Sequence, residues 1–380
     1  MRKRIMFVVP KLTGGGAEKT VANLSKSLNH DKYDISIVVM QDTEKKYDYA
    51  GELIVLKSKR KSGLLKIIYT LSLVRELKKI KKERKIDIAI SFLTYADIIN
   101  ILSRTSEKTI ISIRNMDSML LGNKVLFNIE KYCCKKADLI VAISKKVQDD
   151  VCVNFGVNKN KTITIYNPCV ISKSEENFVT DDDFIVCVGR LTYQKGQWHI
   201  IKAFSEIEKV FPNLKLYILG EGEYKDKLFD LVSLLQLEGK VIFSGFVDRP
   251  LDYVRNSKAF VFPSMYEGLG NSLLEAISCG TPIVSSDCDA GPREILAPDT
   301  DYRYRIKDNI EFAQYGVLVP VDNSHELSSC YLTNNEKLMA KAVIELLKNN
   351  DLQQKYKLLS KKRANDFSKK IICEEWEKIL

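Results

Sequence analysis

Two successive sets of short apolar runs constrain the fold of this chain more than any other feature of its sequence. The first half contains RIMFVV, DISIVVM, IDIAISF, KTIISI and ADLIVAIS, and the second half contains DDFIVCVG, LKLYILG, KVIFSG, AFVFPS and PIVSS. Segments with helical periodicity separate these runs. Strands that are apolar throughout and alternate with helices are typical of parallel sheets covered on both faces. The sequence therefore predicts an α/β protein with two doubly wound domains of five strands each.

The boundary between the two domains is predicted in residues 167–183, NPCVISKSEENFVTDDD, which are polar, acidic and without periodicity. The 380 residues are enough for two domains that each bury a full core. We therefore expect an N-terminal domain over 1–170 and a C-terminal domain over 171–350. Open parallel sheets bind ligands at the carboxyl ends of their strands, so two facing domains would enclose a cleft.

Several simple features restrict the location of the chain. The start, MRKRIMFVVPKL, is basic, but its apolar run is too short for a signal peptide, and we predict a first strand instead. No run of about 18 apolar residues is present to span a bilayer. The nine cysteines form no C-x-x-C pair, which argues against a zinc site or a disulfide framework. We expect the reducing environment of the cytoplasm.

The net charge of +10 is concentrated in residues 57–85, which hold 12 Lys or Arg and two Glu. Apolar residues at spacings of three and four predict an amphipathic helix there: Leu64, Ile67, Ile68, Leu71, Val74, Leu77 and Ile80. Such a helix favours an anionic membrane surface, to which we expect basic residues to contribute: Lys78, Lys79, Lys81 and Lys82. The alternative is a surface helix whose apolar stripe belongs to the core. Nucleic-acid binding is not expected, because Tyr69 is the only aromatic residue in the segment.

A glycine-rich loop follows the first predicted strand in VVPKLTGGGAEKTVANLSKSL. Gly14, Gly15 and Gly16 allow the backbone to approach a ligand, and the helix N-terminus that follows favours an anionic group. The spacing is not G-x-G-x-x-G, so the dinucleotide-binding pattern is absent. The alternative is that the glycines form only a flexible turn.

Two cations follow the first strand of the second set. Arg190 and Lys195 lie in VGRLTYQKG, beside Gly189 and Gly196, which permit tight turns. A guanidinium and an ammonium held together suit a diphosphate whose negative charge grows as it leaves. The alternative is that both are solvated surface charges.

A third motif lies in MYEGLGNSLLEAISCG, where Glu267 closes a strand and a helix begins near Asn271. The helix N-terminus can bind phosphate, and the carboxylates of Glu267 and Glu275 can accept hydrogen bonds from sugar or ribose hydroxyls. Glu275 has an alternative explanation, because Ser272 to Glu275 spells a capping box, S-L-L-E.

In this order and spacing, GGGAE, VGRLTYQKG and the E-x7-E of Glu267 and Glu275 resemble the retaining glycosyltransferases of family 4. That family has the GT-B fold, in which two Rossmann-like domains face a central cleft. The resemblance implies that Arg190 and Lys195 hold the nucleotide diphosphate and that Glu267 completes the catalytic group at the donor sugar. It also implies a set of donor-binding residues: Gly15, Gly16, Gly268, Leu269, Gly270, Asn271 and Glu275.

The resemblance has two further implications. No metal or dissociable cofactor is expected, because Arg190 and Lys195 take the place of a divalent ion. Residues 351–380 resemble the C-terminal helix of the family, which crosses back to the N-terminal domain.

The chain departs from the family pattern in its N-terminal half. Many members carry a histidine there that touches the donor sugar, but no histidine of this chain follows a suitable strand: His30, His199 and His325. Arg114 and Asn115 follow KTIISI instead and become candidate contacts to the acceptor or donor sugar. The alternative is that Arg114 forms a buried structural ion pair. Subgroups that make bacterial surface polysaccharides or lipid-linked oligosaccharides look similar here and share the GPREIL of residues 291–296, which suggests a hexosamine or galactose donor.

The resemblance predicts a cytoplasmic, peripheral enzyme on the inner face of the membrane. It would transfer a hexose or N-acetylhexosamine, with retention, from a UDP-sugar to a lipid-linked or polysaccharide acceptor. A catalytically silent nucleotide-sugar sensor or scaffold on the same fold is a second hypothesis, and hydrolysis of the donor without acceptor would distinguish the two. A basic nucleic-acid-binding protein is a third, but the confinement of the excess charge to 57–85 opposes it.

Overall fold

The computed structural model describes residues 2–44, 46–57, 65–169, 180, 182–325 and 327–380. The chain divides into two compact units. The first consists of Met1–Pro168 with Lys369–Leu380, and the second consists of Cys169–Ser368. Most of the predicted boundary segment, residues 170–179 and 181, lies outside the described residues.

The first unit is built on a seven-stranded parallel sheet with the order β3-β2-β1-β4-β5-β6-β7. Its strands are β1 (Lys3–Val9), β2 (Tyr33–Val39), β3 (Glu52–Val55), β4 (Ile88–Phe92), β5 (Lys108–Ile113), β6 (Leu139–Ala142) and β7 (Thr162–Thr164). Its first helices are α1 (Gly16–Ser27), α2 (Leu65–Glu83), α3 (Thr94–Leu102), α4 (Asp117–Leu120), α5 (Lys124–Lys136) and α6 (Lys145–Val153).

The second unit is built on another seven-stranded sheet, with the order β10-β9-β8-β11-β12-β14-β13. Its strands are β8 (Phe184–Val188), β9 (Lys215–Leu219), β10 (Val241–Gly245), β11 (Ala259–Phe262), β12 (Ile283–Ser286), β13 (Glu311–Phe312) and β14 (Val317–Val319). Only the pairing of β13 with β14 is antiparallel among these described strands. The helices are α7 (Gln197–Val210), α8 (Lys225–Leu234), α9 (Pro250–Asn256), α10 (Asn271–Cys279), α11 (Pro292–Leu296), α12 (Asn334–Lys348) and α13 (Asn350–Asp366).

Two expectations about the elements are corrected. Each sheet has seven strands and not five, because β3, β7, β13 and β14 have only two to four residues and carry almost no periodic signal. The single helix expected over 351–380 is two helices. Helix α13 ends at Asp366, the buried Phe367 leaves the helical conformation, and α14 (Lys369–Glu377) belongs to the first unit.

Alternate residues of β1 divide the core of the first unit into two layers. Ile5, Phe7 and Val9 pack with α1 and α14, whereas Met6 and Val8 pack with α2 and α3. This alternation follows from the two-residue period of a strand. Helix α5 packs on α3, so α2, α3 and α5 cover the same face of the sheet.

Helix α2 buries only part of the apolar stripe that its sequence suggested: Leu77 is buried, and Val74 and Ile80 pack against the core. Its buried side consists of Tyr69, Leu73, Leu77 and Lys81, which follow one another at intervals of four. The first two turns carry apolar residues on every side, so some of them must face solvent. Three residues of the expected stripe do so: Ile67, Ile68 and Leu71. Leu64 and the basic residues of 58–64 lie outside the described part of the chain.

The burial of Lys81 contradicts the expectation that it contributes to a membrane-binding surface. Its ammonium lies 2.7 Å from a carboxylate oxygen of Glu107 and donates a hydrogen bond to the side-chain oxygen of Asn100 at 2.7 Å. Lys81 holds the pKa of Glu107 below its usual value. Removing one partner of a buried pair costs about 3–5 kcal/mol, so Lys81 serves the fold of the first unit.

Helices α3, α4 and α5 bring several carboxyl groups together in the interior of the first unit. Asp97 and Glu130 are almost completely buried beside each other, and neither carboxyl has a cationic partner among the described residues. Burial, reinforced by Asp97, raises the pKa of Glu130 to about 10. Burial and the nearby Asp150 raise the pKa of Asp117 to about 7. Burial beside a second carboxyl group therefore favours the neutral, protonated form of Glu130.

None of the described helices is both long enough and apolar enough to cross a bilayer. All nine cysteines are free thiols, and seven of them are buried.

We expect the Glu130→Gln variant to lose less stability than the wild type as the pH rises. The folded chain keeps a proton on Glu130 up to a pKa of about 10, whereas the unfolded chain releases it near the ordinary value of 4.5. Between these values the folded state binds more protons, so its stability falls with increasing pH. Glutamine is neutral at every pH. The melting temperature of the variant should therefore rise above that of the wild type progressively from pH 5 to pH 9, by about 2–4 °C for each kcal/mol.

The exposed Glu374 supplies the control for this experiment. Glu374→Gln should follow the wild-type curve at every pH. If the Glu130→Gln and wild-type curves run parallel, Glu130 is ionised in the folded protein.

Candidate active site

The strand order of the second sheet reverses beside β8, because β9 and β10 lie on one side of it and β11 and β12 on the other. Ligands of open α/β sheets bind at the carboxyl ends of strands at such a reversal. The loop after β8 contains residues 189–196, and the loop after β11 contains residues 263–270. These two loops hold most of the site residues that the sequence suggested for this unit.

Lys195 and Glu267 join the two loops. The Lys195 ammonium lies 2.5 Å from a carboxylate oxygen of Glu267 and 5.4 Å from the centre of the Phe262 ring. The loops are also tied through Gln194: its carbonyl accepts a hydrogen bond from the Met265 N–H at 2.8 Å. Both charged side chains are largely buried. The lysine is therefore held in place by the packing of the protein itself.

Arg190 is exposed at the start of the same loop. Its carbonyl accepts a hydrogen bond from the Gln197 side chain at 2.9 Å, which fixes the backbone at this point. Within the described ranges, no hydrogen bond or ion pair involves the Arg190 guanidinium. Arg190 lies near Tyr266. Burial raises the pKa of the Tyr266 phenol, and the positive charge of Arg190 opposes that rise. Its charge is available to an anionic ligand.

Glycines allow the loops at this edge of the sheet to touch through their backbones. A Cβ atom at any of four glycines would lie between 1.9 and 2.5 Å from a carbonyl oxygen of the adjacent loop. No side chain fits at such distances. The four contacts join Gly196 to Pro263, Gly220 to Gly189, Gly222 to Leu191, and Gly291 to Leu269. Sequence reasoning missed Gly220 and Gly222, although a glycine pair directly after a strand, in LGEGE, is a readable signal.

The loop after β11 leads into α10, whose N-cap is Gly270 with φ 91° and no side-chain cap. Ser272 lies inside the helix, so the capping-box explanation for Glu275 is wrong. Gly268 and the buried Leu269 precede the cap. Asn271 is the first residue of α10, and Glu275 follows one turn later on the same side of the helix.

Arg293 is a structural residue of this region that sequence reasoning missed. It is buried, and it contacts Asp287 at 2.7 Å and Glu311 at 2.9 Å. These ion pairs tie the loop after β12 to β13 and thereby position Gly291 against Leu269. Its partners Asp287 and Glu311 are 6 and 18 residues away, which exceeds the spacing of three or four at which side chains meet on a helix.

The first sheet also reverses its order, beside β1, and the loop after β1 supplies the N-terminus of α1. Gly15 is the N-cap and Gly16 the first helical residue. A Cβ atom at Gly15 would lie 2.2 Å from a carboxylate oxygen of Glu18, the end of a flexible side chain that could move aside. Leu93, at the end of β4, has φ 78°, which is strained for a residue with a large side chain. The sequence contains no signal for this strain.

Arg114 lies at the end of β5 and is 8% exposed. It donates hydrogen bonds to Ser112 at 3.2 Å, to Thr20 at 3.3 Å and to the Asn167 side chain, and it stacks over the Phe92 ring. All of these partners are neutral, so the hypothesis of a structural ion pair is wrong for the described residues. Burial lowers the pKa of Arg114 to about 9. The half-buried Asn115 follows it along the chain.

One group of described residues has the spacing of metal ligands, namely His199, Asp322 and Glu336, all buried. The fold accounts for it. Glu336 closes a capping box with Thr333 at the start of α12, and one of its oxygens lies 2.9 Å from Nδ1 of His199. Its other oxygen lies 3.6 Å from the Lys202 ammonium. A neighbouring ammonium disfavours a bound cation, so we assign the group to the packing of α7 on α12.

The close contacts predict that Gly222→Ala disturbs the site and that Gly189→Ala does not. A Cβ atom at Gly222 would lie 2.2 Å from a backbone oxygen, whereas one at Gly189 would meet only the Lys195 side chain at 3.4 Å. We expect Gly222→Ala to lower the free energy of unfolding by about 1–3 kcal/mol and to weaken binding of the diphosphate ligand expected at this edge of the sheet. Denaturant titration and calorimetry would measure both effects. Equal behaviour of the two variants would mean that the loops can separate without consequence.

Comparison with known proteins agrees with this geometry. The chain matches the family model described as Glycosyltransferase Family 4 over residues 14–173 and the one described as Glycosyl transferases group 1 over residues 171–314. It is 31% identical over 357 residues to an uncharacterized glycosyltransferase of Methanocaldococcus jannaschii, with 87% of each chain covered.

Two other comparisons extend over the whole chain. It is 29% identical to the N-acetylgalactosamine-N,N'-diacetylbacillosaminyl-diphospho-undecaprenol 4-alpha-N-acetylgalactosaminyltransferase of Campylobacter jejuni, with both chains fully covered. Its fold matches the crystal structure of Anabaena HepE in complex with UDP, with a TM-score of 0.79, 16% identity and coverage of 100% and 99%. The chain therefore belongs to the family 4 glycosyltransferases and has the GT-B fold.

Proposed function

We propose that this glycosyltransferase moves a hexose or N-acetylhexosamine, with retention of anomeric configuration, from a UDP-sugar to a lipid-linked or polysaccharide acceptor in bacterial surface glycan synthesis. The observation that carries the proposal is the Lys195–Glu267 pair with the unpaired Arg190 beside it, at the reversal of the second sheet. Two fixed cations at that point suit a departing diphosphate.

The pair leaves Lys195 able to bind phosphate. An ammonium has three N–H donors, and in the protein one points to Glu267, so two remain for diphosphate oxygens. Arg190 adds a planar donor group from the other end of the loop. Because the leaving diphosphate gains negative charge in the transition state, both cations stabilise that state more than the bound donor. They would do so without a divalent metal ion.

Glu267 has two roles in this proposal. One carboxylate oxygen orients Lys195, and the other can accept a hydrogen bond from a hydroxyl of the donor sugar. Glu275, one turn into α10, is assigned to the ribose hydroxyls. The backbone of Gly268, Leu269, Gly270 and Asn271 would complete the donor site.

Retention needs no basic side chain at the reacting carbon. The bond between the anomeric carbon and the diphosphate oxygen breaks, and the acceptor oxygen bonds to the same face of that carbon. The proton of the acceptor hydroxyl passes to the released diphosphate oxygen. The protein supplies the positioning and the charges that lower the barrier. Gly15, Gly16, Arg114 and Asn115 would contact the sugar or acceptor from the first unit.

The choice of donor and acceptor rests on relatives. HepE, whose fold this chain shares, was crystallised with UDP. The Campylobacter relative is named for the transfer of N-acetylgalactosamine to a diphospho-undecaprenol glycan. These names support a UDP-sugar donor and a lipid-linked acceptor here. An enzyme with such substrates would work at the inner face of the cytoplasmic membrane, and no nucleic-acid partner is expected.

Membrane attachment through residues 57–85 remains part of the proposal in a revised form. Lys81 is excluded because it is buried, but the exposed side of α2 still carries Arg75, Lys78, Lys79 and Lys82. Each basic residue near an anionic lipid surface contributes about 1 kcal/mol. The test of attachment should therefore replace these four residues and leave Lys81 in place.

Mass spectrometry of reaction products tests the function. The protein is incubated with bacterial membranes and a panel of UDP- and GDP-sugars in EDTA, and extracted lipids are searched for an added sugar. A product from one UDP-sugar supports the proposal, and loss of activity in EDTA contradicts metal independence. Binding of UDP with neither transfer nor donor hydrolysis would favour the sensor or scaffold hypothesis.

Replacing Lys195 should reduce turnover by about a hundredfold or more, because a fixed charge on a leaving oxyanion contributes roughly 3 kcal/mol. Lys195→Ala also leaves the buried Glu267 without its partner, which should lower the melting temperature. The double variant Lys195→Ala/Glu267→Gln should recover stability but not turnover. Lys225→Ala, at an exposed lysine of the same unit, is the control. Turnover near that of the wild type in Lys195→Ala would remove this residue from the mechanism.

Glu275→Gln and Glu267→Gln should fail in different ways. Binding to the ribose is present before the reaction begins, so Glu275→Gln should weaken UDP binding by about tenfold with a smaller effect on turnover. Glu267 acts on Lys195 and on the sugar during the reaction, so Glu267→Gln should mainly lower kcat. Calorimetry with UDP and steady-state kinetics measure the two effects. Unchanged UDP affinity in the Glu275 variant would refute the ribose assignment.

A further inference from the structure

Helices α4 and α5 of the first unit carry large apolar side chains on their solvent side. Six of them are exposed: Met119, Leu120, Val125, Leu126, Ile129 and Tyr132. Val125 is 65% exposed and Met119 is 60% exposed. Apolar residues that are exposed singly are common, but six on two successive helices are more than such scatter produces and indicate an interaction surface. We call these six residues the α4–α5 face.

The inward side of helix α5 buries Cys133, Cys134 and Glu130, and its solvent side carries apolar residues as well as lysines. Its inward side buries the carboxyl group of Glu130, whose pKa is strongly raised by that burial, while Val125, Leu126, Ile129 and Tyr132 point outward. Burying an acid and exposing four apolar side chains both cost free energy in an isolated protein. An apolar partner on the outer side of α5 would remove the second of these costs.

The exposed charged residues of α5 have one sign. Lys124, Lys135 and Lys136 are exposed on α5, and the only acidic residue of that helix is the buried Glu130. The surface thus combines exposed apolar side chains with positive charge and lacks exposed negative charge along α5. That combination is typical of segments that lie on anionic bilayers.

The exposed side of α2 repeats the pattern. Ile67, Ile68 and Leu71 are exposed in its first turns, and its exposed basic residues follow from Arg75 onward. Helices α2 and α5 both pack on α3 and both run back from the carboxyl edge of the parallel sheet. Their apolar parts therefore lie toward the carboxyl edge, and their basic C-terminal turns lie toward the opposite edge.

We propose that the α4–α5 face, together with the exposed side of α2, docks on an anionic lipid bilayer, with the apolar side chains inserted at the headgroup level and the lysines on lipid phosphates. A second copy of this chain is a poorer occupant, because a symmetric pair would place the same positive charges against each other. The inference deepens the proposed function, since it rests on a lipid-linked acceptor. It adds an apolar anchor on α5 to the electrostatic attraction of α2.

Flotation with vesicles separates the two contributions. The whole protein is mixed with vesicles of phosphatidylcholine alone or with phosphatidylglycerol, at low and high salt. We expect Val125→Gln/Ile129→Gln to lower partition into anionic vesicles by about tenfold or more at either salt concentration. Lys124→Gln/Lys135→Gln/Lys136→Gln should lower it mainly at low salt, where screening is weak. Leu234→Gln/Leu358→Gln, at two exposed leucines of the second unit, is the matched control and should float like the wild type.

A fluorescence measurement shows insertion directly. The two native tryptophans, Trp198 and Trp376, are buried and provide a constant background. Tyr132→Trp should shift its emission to shorter wavelength when anionic vesicles are added. Tyr331→Trp, at an exposed tyrosine of the second unit, should not.

Three results would overturn the inference. These are equal flotation of Val125→Gln/Ile129→Gln and the wild type, no shift from Tyr132→Trp, or a wild-type dimer in solution that the same double substitution converts to a monomer. The last result would identify the face as a protein interface. UDP binding is measured on every variant, because its retention shows that loss of flotation is not loss of folding. Retained UDP binding with no flotation would refute the docking surface alone, whereas absent UDP binding by the wild type would refute the proposed function.

Discussion

The donor side of the site depends on backbone contact between neighbouring loops. At the carboxyl edge of the second sheet, glycines at 196, 220, 222 and 291 face carbonyl oxygens of the adjacent loops at distances that exclude a Cβ atom. Such contacts leave the loops little freedom to move independently. Main-chain geometry therefore determines the shape of the site, and the loops determine the positions of its few charged side chains. This is the preorganisation that stabilisation of a developing charge requires.

The Lys195–Glu267 pair adds a second constraint to the same loops. Two opposite charges with little access to water hold each other in place, but their mutual neutralisation lowers the positive potential offered to a ligand. Arg190 carries no such counter-charge among the described residues, so it dominates the attraction of an approaching anion. The loop after β8 thus contains one exposed cation without a counter-charge among the described residues and one largely buried cation balanced by Glu267. Capture and orientation of a diphosphate can be divided between them.

Much of the fold and of this site could be predicted, because the residues that encode them are close together in the sequence. The ten predicted strands are nearly continuous apolar runs, and the pairs Arg190 with Lys195 and Glu267 with Glu275 are each separated by no more than eight positions. What failed depends on distant partners or on ambiguous periodicity. The burial of Lys81 requires Glu107, and Arg293 is buried between Asp287 and the more distant Glu311. The first turns of α2 are apolar on all sides, so Ile67 and Tyr69 were equally good candidates for the core.

The position of α14 has a consequence for how the first unit is made. Its core includes Ile372, Trp376 and Leu380, and Trp376 lies 6.1 Å from the ring of Phe92 on β4. These side chains leave the ribosome only after the 200 residues from Cys169 to Ser368. At ordinary rates of translation the core of the first unit therefore lacks α14 for about 10–40 s. During synthesis the second unit, whose residues are contiguous, can therefore finish folding before the first, and the apolar side of β4 and α1 is then a natural surface for a chaperone.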